Sequence, residues 1–113
     1  MSVFTRFLQD RSLAELLNQG SLYERVSRLI RYSDDGVVRA LATQPKAALE
    51  LADALKAVAQ DLAFDFRLRI ECVSYLGRLG AQPEFRDKMR VAISGFEGTD
   101  LDYASKQALE RLN

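Results

Sequence analysis

A stretch of this chain occurs twice, 33 positions apart, and that recurrence restricts the fold more than any other feature. Leu68-Arg69-Ile70-Glu71-Cys72-Val73-Ser74-Tyr75-Leu76-Gly77-Arg78-Leu79 aligns with Leu101-Asp102-Tyr103-Ala104-Ser105-Lys106-Gln107-Ala108-Leu109-Glu110-Arg111-Leu112. Leu68, Leu76, Arg78 and Leu79 return as Leu101, Leu109, Arg111 and Leu112, while Cys72 returns as the similarly small Ser105 and Tyr75 as Ala108. A period of this length marks a helical array, in which each unit buries its apolar face only against its neighbours. Arrays of this kind mostly bind other molecules.

The punctuation along the chain agrees with helices. Sustained period-2 alternation is missing, and no Asn-Gly or Asp-Gly pair joins β-branched runs. Ser12-Leu13-Ala14-Glu15 and Ser21-Leu22-Tyr23-Glu24 both fit a capping box, with Gly20 between them as a helix stop. Further starts fall at Asp34 or Asp35, Pro45, Asp65, Pro83 and Asp100, and Gly80 closes the helix that begins near Phe66. Six or seven short helices are expected in one domain spanning 1–113. Residues 1–33 form N-terminal capping helices, and 34–80 and 81–113 form the two repeats.

Helical periodicity assigns the faces. From Lys46 to Gln60, Ala47, Leu51, Ala54, Leu55 and Val58 share one side; from Glu84 to Phe96, Phe85, Met89, Ala92, Ile93 and Phe96 do. The helix from Phe66 to Leu79 is apolar on two sides. Leu68, Cys72, Tyr75, Leu76 and Leu79 make one, and Phe66, Ile70, Val73 and Gly77 the other. Such a helix is sandwiched within a stack, and only the narrow stripe of Arg67, Glu71, Ser74 and Arg78 is left for water. In the second copy the outer side becomes Thr99, Tyr103, Lys106 and Glu110, the polar exterior that a terminal repeat needs, so the array is expected to end there.

Sixteen basic and sixteen acidic residues give no net charge, so polyanions and anionic membranes have no global attraction to the chain. One cysteine excludes an intramolecular disulfide and suits a reducing, cytoplasmic setting. Arg6, Asp10 and Arg11 interrupt the apolar run that a signal peptide requires, and no stretch approaches the ~20 apolar residues of a membrane span.

With Asp65, Leu68-Arg69, Cys72 and Leu76-Gly77-Arg78-Leu79 in view, the chain resembles HEAT-type helical repeats, particularly the short bacterial form of phycobilisome-lyase-like proteins. Asp100, Leu101, Ser105 and Leu109-Glu110-Arg111-Leu112 follow the same pattern, with Asp102 in place of the arginine. A truncated third copy at Asp35, Val38-Arg39 and Ala42, cut short by Pro45, also resembles the leucine-rich-repeat variant. The resemblance covers residues 34–113. It implies a short right-handed α-solenoid and a scaffold, accessory or chaperone-like subunit; the chain is too short for a complete chromophore lyase.

Three groups of residues are candidates for interaction. Arg67, Glu71, Ser74 and Arg78 form the edge that lines the concave side of such arrays, and their mixed charge suits a specific protein surface. Arg25, Arg28 and Arg31, with Tyr32 alongside, recur every three residues on the outward side of their helix, where they could meet an acidic partner or phosphate. For both groups, a solvated helix face is the competing reading. Arg39 and Arg69 occupy equivalent repeat positions, and each is expected to bond a carboxylate or carbonyl of the adjacent unit, with Asp35, Asp65 and Asp100 as acceptors, an anion site being the less favoured reading.

Catalysis is not expected. Cys72 lies on an apolar face, and the chain has no histidine to activate it. The pairs Asp34-Asp35 and Asp61 with Asp65 are explained by helix caps. Neither a metal-ligand cluster, a phosphate loop nor a catalytic triad is present, and no cofactor is implied. The leading reading is a non-catalytic module that binds another protein. Alternatives are a nucleic-acid binder using the arginine stripe and a toxin-neutralising immunity protein, for which no acidic or shape-matched face is identified. Val3, Phe4, Phe7, Leu8, Leu13, Leu16 and Leu17 suit either a cap or a homodimer contact.

Overall fold

Helices account for all the regular structure among the described residues. A computed structural model describes residues 20–32 and 35–112, with the side chains of 32 and 35–37 excepted. In chain order the helices are α1 (Leu22–Tyr32), α2 (Asp35–Ala42), α3 (Pro45–Gln60), α4 (Phe66–Gly80), a 3₁₀ turn (Pro83–Phe85), α5 (Arg86–Ser94) and α6 (Asp102–Glu110). The capping box at Ser12 and the apolar N-terminal segment proposed as a cap or dimer contact lie outside the described residues. The chain divides into two compact units, the first ending at Ala54 and the second running from Leu55.

In the first unit, Gly20 and Ser21 set the start of α1. Gly20 has φ +92°, the left-handed region, and the Ser21 hydroxyl accepts the Glu24 amide at 3.1 Å. Val26 and Leu29 are fully buried on α1, as is Leu41 on the eight-residue α2, where Val38 is also buried. Pro45 opens α3, where a missing amide costs nothing. Ala47, Ala48, Leu51 and Ala52 are buried, while Glu50 and Asp53 face water, close to the face expected from periodicity.

In the second unit α4 is central, and α5 and α6 pack against it and against each other. Cys72, Val73, Leu76 and Leu79 of α4 meet a core completed by Phe85, Met89, Ile93, Phe96, Leu101 and Ala108, all at most 3% exposed. Each large member contributes about 1.5–3 kcal/mol by leaving water. Two glycines let the helices approach closely. A β-carbon at Gly77 would stand 3.2 Å from the Ala108 β-carbon, and one at Gly80 would stand 2.7 Å from a Leu112 methyl and 3.0 Å from the Met89 β-carbon. Gly80 therefore acts through packing and not through a left-handed stop, since α4 continues into a right-handed Ala81. The Arg90 guanidinium donates to the Leu112 carbonyl at 3.1 Å and ties α5 to the end of α6.

Both expected apolar faces of α4 are buried from Cys72 onward. Its first turn is more open: Phe66 is 49% exposed, and Leu68 and Ile70 are half-buried. The outer side of α6 is polar and exposed at Tyr103, Lys106 and Glu110, as the sequence predicts.

Candidate functional site

The residues proposed for partner contact on α4 occupy its remaining open strip. The Arg67 side chain is 88% exposed and lies 3.6 Å from the Glu71 carboxylate one turn on. An exposed pair at that distance, with the cation on the N-terminal side, contributes little in water, so both groups remain available to a partner. Ser74 and Arg78 are half-buried. The Arg78 guanidinium stands over the Tyr75 ring, 5.1 Å from its centroid, a cation–π arrangement on a buried tyrosine that restrains the charge.

Beside this strip lies an ionic clamp. Arg69 is only 5% exposed. Its Nη1 and Nη2 donate to the two Asp100 carboxylate oxygens at 2.7 and 3.1 Å, and its Nε donates to the Ala59 carbonyl at 2.9 Å. The planar fork thus joins the last turn of α3, the first turn of α4 and the connection before α6. Asp100 is released for this role because that connection is closed by other groups. The Asp102 carboxylate accepts the Gly98 amide at 2.8 Å, the Thr99 hydroxyl accepts the Leu101 amide at 3.1 Å, and Gly98 itself has φ +78°. The hydrogen bond from Arg69 holds the Asp100 carboxyl below its ordinary range, and the reciprocal bond keeps the guanidinium above its own. Asp102 is likewise lowered, first by the Gly98 amide and then by Lys106, whose ammonium stands 3.0 Å away.

The other half of the expected ladder is different. Arg39 is exposed, so it does not share the buried environment of Arg69. Asp65 occupies the N-cap of α4, but its carboxylate makes no capping hydrogen bond. Asp61 instead closes a turn by accepting the Ala63 amide at 2.9 Å.

On α1, Arg31 is exposed, whereas Arg25 and Arg28 are half-buried, and the Arg25 Nε is enclosed without a hydrogen-bond acceptor. A spacing of three turns each successive side chain by about 60°, so the three spread over about 120° of the helix surface and differ in exposure. Residue spacing alone made the row look more uniform than it is.

Cys72 is fully buried, and burial, with the Glu71 charge behind it, pushes its thiol up to about 12. It is therefore no thiolate nucleophile at neutral pH. Among the described residues, no cluster of His, Cys, Asp or Glu could hold a metal ion, and no helix is long and apolar enough to cross a membrane.

One feature escaped the sequence reading. A cleft of about 270 Å³ opens between the α3–α4 turn and the α5–α6 connection, with Leu62 and Phe96 on its walls and the Arg69–Asp100 pair at its margin. Its only sequence signal is Leu62, an apolar residue in a turn bounded by Asp61 and Asp65. No family model, curated protein or solved structure matches the chain.

Proposed function

We propose that this chain is a non-catalytic, HEAT-type helical-repeat module that binds another protein through the α4 strip of Arg67, Glu71, Ser74 and Arg78. The observation that carries the reading is the contrast along α4. The helix buries Cys72, Val73, Tyr75, Leu76 and Leu79, and the four proposed contact residues ride on that rigid support. Charges held on a packed element meet a partner with less ordering cost than charges on a loop. Their mixed sign suits a particular protein surface more than a polyanion.

A short right-handed α-solenoid is the architecture that best fits the recurrence, and three repeat-equivalent pairs on the inner track, Cys72/Ser105, Tyr75/Ala108 and Leu79/Leu112, share their burial. Cys72 and Ser105 are both fully buried, and Leu79 and Leu112 are 1% and 4% exposed. An accessory or chaperone-like role in a larger bacterial complex is the version that the family resemblance favours. The single buried thiol is in keeping with the cytoplasm.

The test is affinity capture from the source organism with the wild-type chain and with Arg67→Ala/Arg78→Ala. A protein partner retained by the first and lost by the second, with helix content unchanged, is the expected result. Capture that survives the double substitution rules the α4 strip out. Capture lost instead on charge reversal at Arg25 and Arg28, and falling steeply with salt, transfers the function to α1 and to nucleic acid.

A further inference from the structure

We propose that the cleft beside the α3–α4 turn receives a protein segment presenting one large apolar side chain flanked by lysine or arginine. The cleft lies wholly within the second unit, and Leu62, Ala59 and Phe96 make its lining mostly apolar, with Gln60, Thr99 and the Arg69–Asp100 pair as its polar part. Ala59 and Phe96 belong to the packed core, whereas Leu62 is 77% exposed. A single exposed leucine is ordinary. This one sits on a turn whose backbone is already fixed, with the Ala63 amide bound to the Asp61 carboxylate and the Phe64 amide to the Asp61 carbonyl. A fixed apolar residue beside a buried aromatic one is the shape that seats an anchor side chain at low ordering cost.

The charge around the cleft selects the rest of the ligand. The two segments that frame it, residues 59–66 and 95–100, carry Asp61, Asp65, Glu97 and Asp100 and no lysine or arginine. The one cation at the margin, Arg69, is buried and committed to Asp100 and the Ala59 carbonyl. On the adjoining helices Arg67 and Lys106 each have a carboxylate one turn away, Glu71 and Asp102, so neither adds net positive charge beside the cleft. With Asp100 balanced by Arg69, three carboxylates, Asp61, Asp65 and Glu97, leave the segments framing the slot net negative. Basic residues flanking the anchor complement that charge, and acidic ones are repelled. This surface is distinct from the α4 strip and does not depend on it.

The experiment pans a phage-displayed library of random peptides, about twelve residues long, against the full chain. Enriched peptides should carry a leucine or aromatic residue flanked by Lys or Arg, and they should shift the amide signals of residues 59–66 and 95–100. Their affinity should fall about tenfold in Leu62→Ser and in Asp65→Asn/Glu97→Gln, and should decline as salt is raised. Leu62 is exposed and neither carboxylate carries a fold-defining contact, so helix content should not change. The proposal is overturned if no peptide is enriched, if the enriched peptides are acidic, or if their binding ignores both variants. Because the probe is a peptide library and not a partner of the α4 strip, failure here leaves that other reading standing.

Discussion

Arg69 is the residue on which the second unit turns. Its guanidinium satisfies a carbonyl on α3 and a carboxylate ahead of α6, three hydrogen bonds from one side chain that is almost fully buried. Truncation removes them together and leaves the Ala59 carbonyl unsatisfied, so Arg69→Ala should cost about 2–3 kcal/mol in urea unfolding. Arg69→Lys keeps the charge but loses the fork, and its loss should be intermediate. The pair also sets an acid dependence. Asp100 has its folded pKa below the ordinary 3.8, so its contribution is present above that value and is lost as pH falls through the depressed one. Wild-type unfolding midpoints should therefore drop below about pH 4, and Asp100→Asn should start lower and show a smaller drop. An equal drop in both proteins would assign the acid sensitivity elsewhere, with Asp102 the next group to test.

At the scale of the element, α4 shows how two copies of one pattern come to differ. Leu76-Gly77-Arg78-Leu79 carries glycine where Leu109-Glu110-Arg111-Leu112 carries glutamate. Gly77 faces Ala108 on a neighbouring helix, where even a methyl would be a tight fit, whereas Glu110 is exposed. Replacing a helical glycine by alanine gains up to about 1 kcal/mol from backbone entropy, and packing decides the net result. At Gly77 the contact is tight by a few tenths of an ångström, so Gly77→Ala should be close to neutral. At Gly80 the new methyl meets both Leu112 and the Met89 β-carbon, which is tied to the backbone, and Gly80→Ala should destabilise by about 1–2 kcal/mol. A melting temperature raised by Gly80→Ala would show that α5 and α6 pack less tightly on α4 than described. The helix itself, its buried track and its polar stripe were legible from period and residue type. The reason for Gly80 was not, because it lies in Met89 on α5 and Leu112 just beyond α6 and not in the local turn.

For the whole molecule, charge is the governing quantity. Sixteen positive and sixteen negative groups leave nothing to steer a polyanion toward the chain. Elution from heparin below about 100 mM salt is the expected behaviour, and retention well above it would revive the arginine row of α1 as a phosphate site. That row illustrates the limit of spacing as evidence. Arg25, Arg28 and Arg31 recur every three residues, yet they differ in exposure, with Arg31 exposed and the other two half-buried. The cleft at Leu62 illustrates the converse. Its walls come from residues 59–62 and 95–96, segments with no pattern in common, and only folding places them side by side.

The sequence alone determined that this chain is helical, where most of its helices begin and end, and which track of α4 is buried. Those follow from local propensity and from a period that one helix imposes on itself. It also named Asp100 among the acceptors for Arg69. Only the tertiary structure decided that Asp100 is the partner, that Arg39 has no equivalent burial, and that a mostly apolar slot framed by net negative segments opens beside the clamp. Such features depend on distances between segments far apart in the chain, which no local pattern encodes.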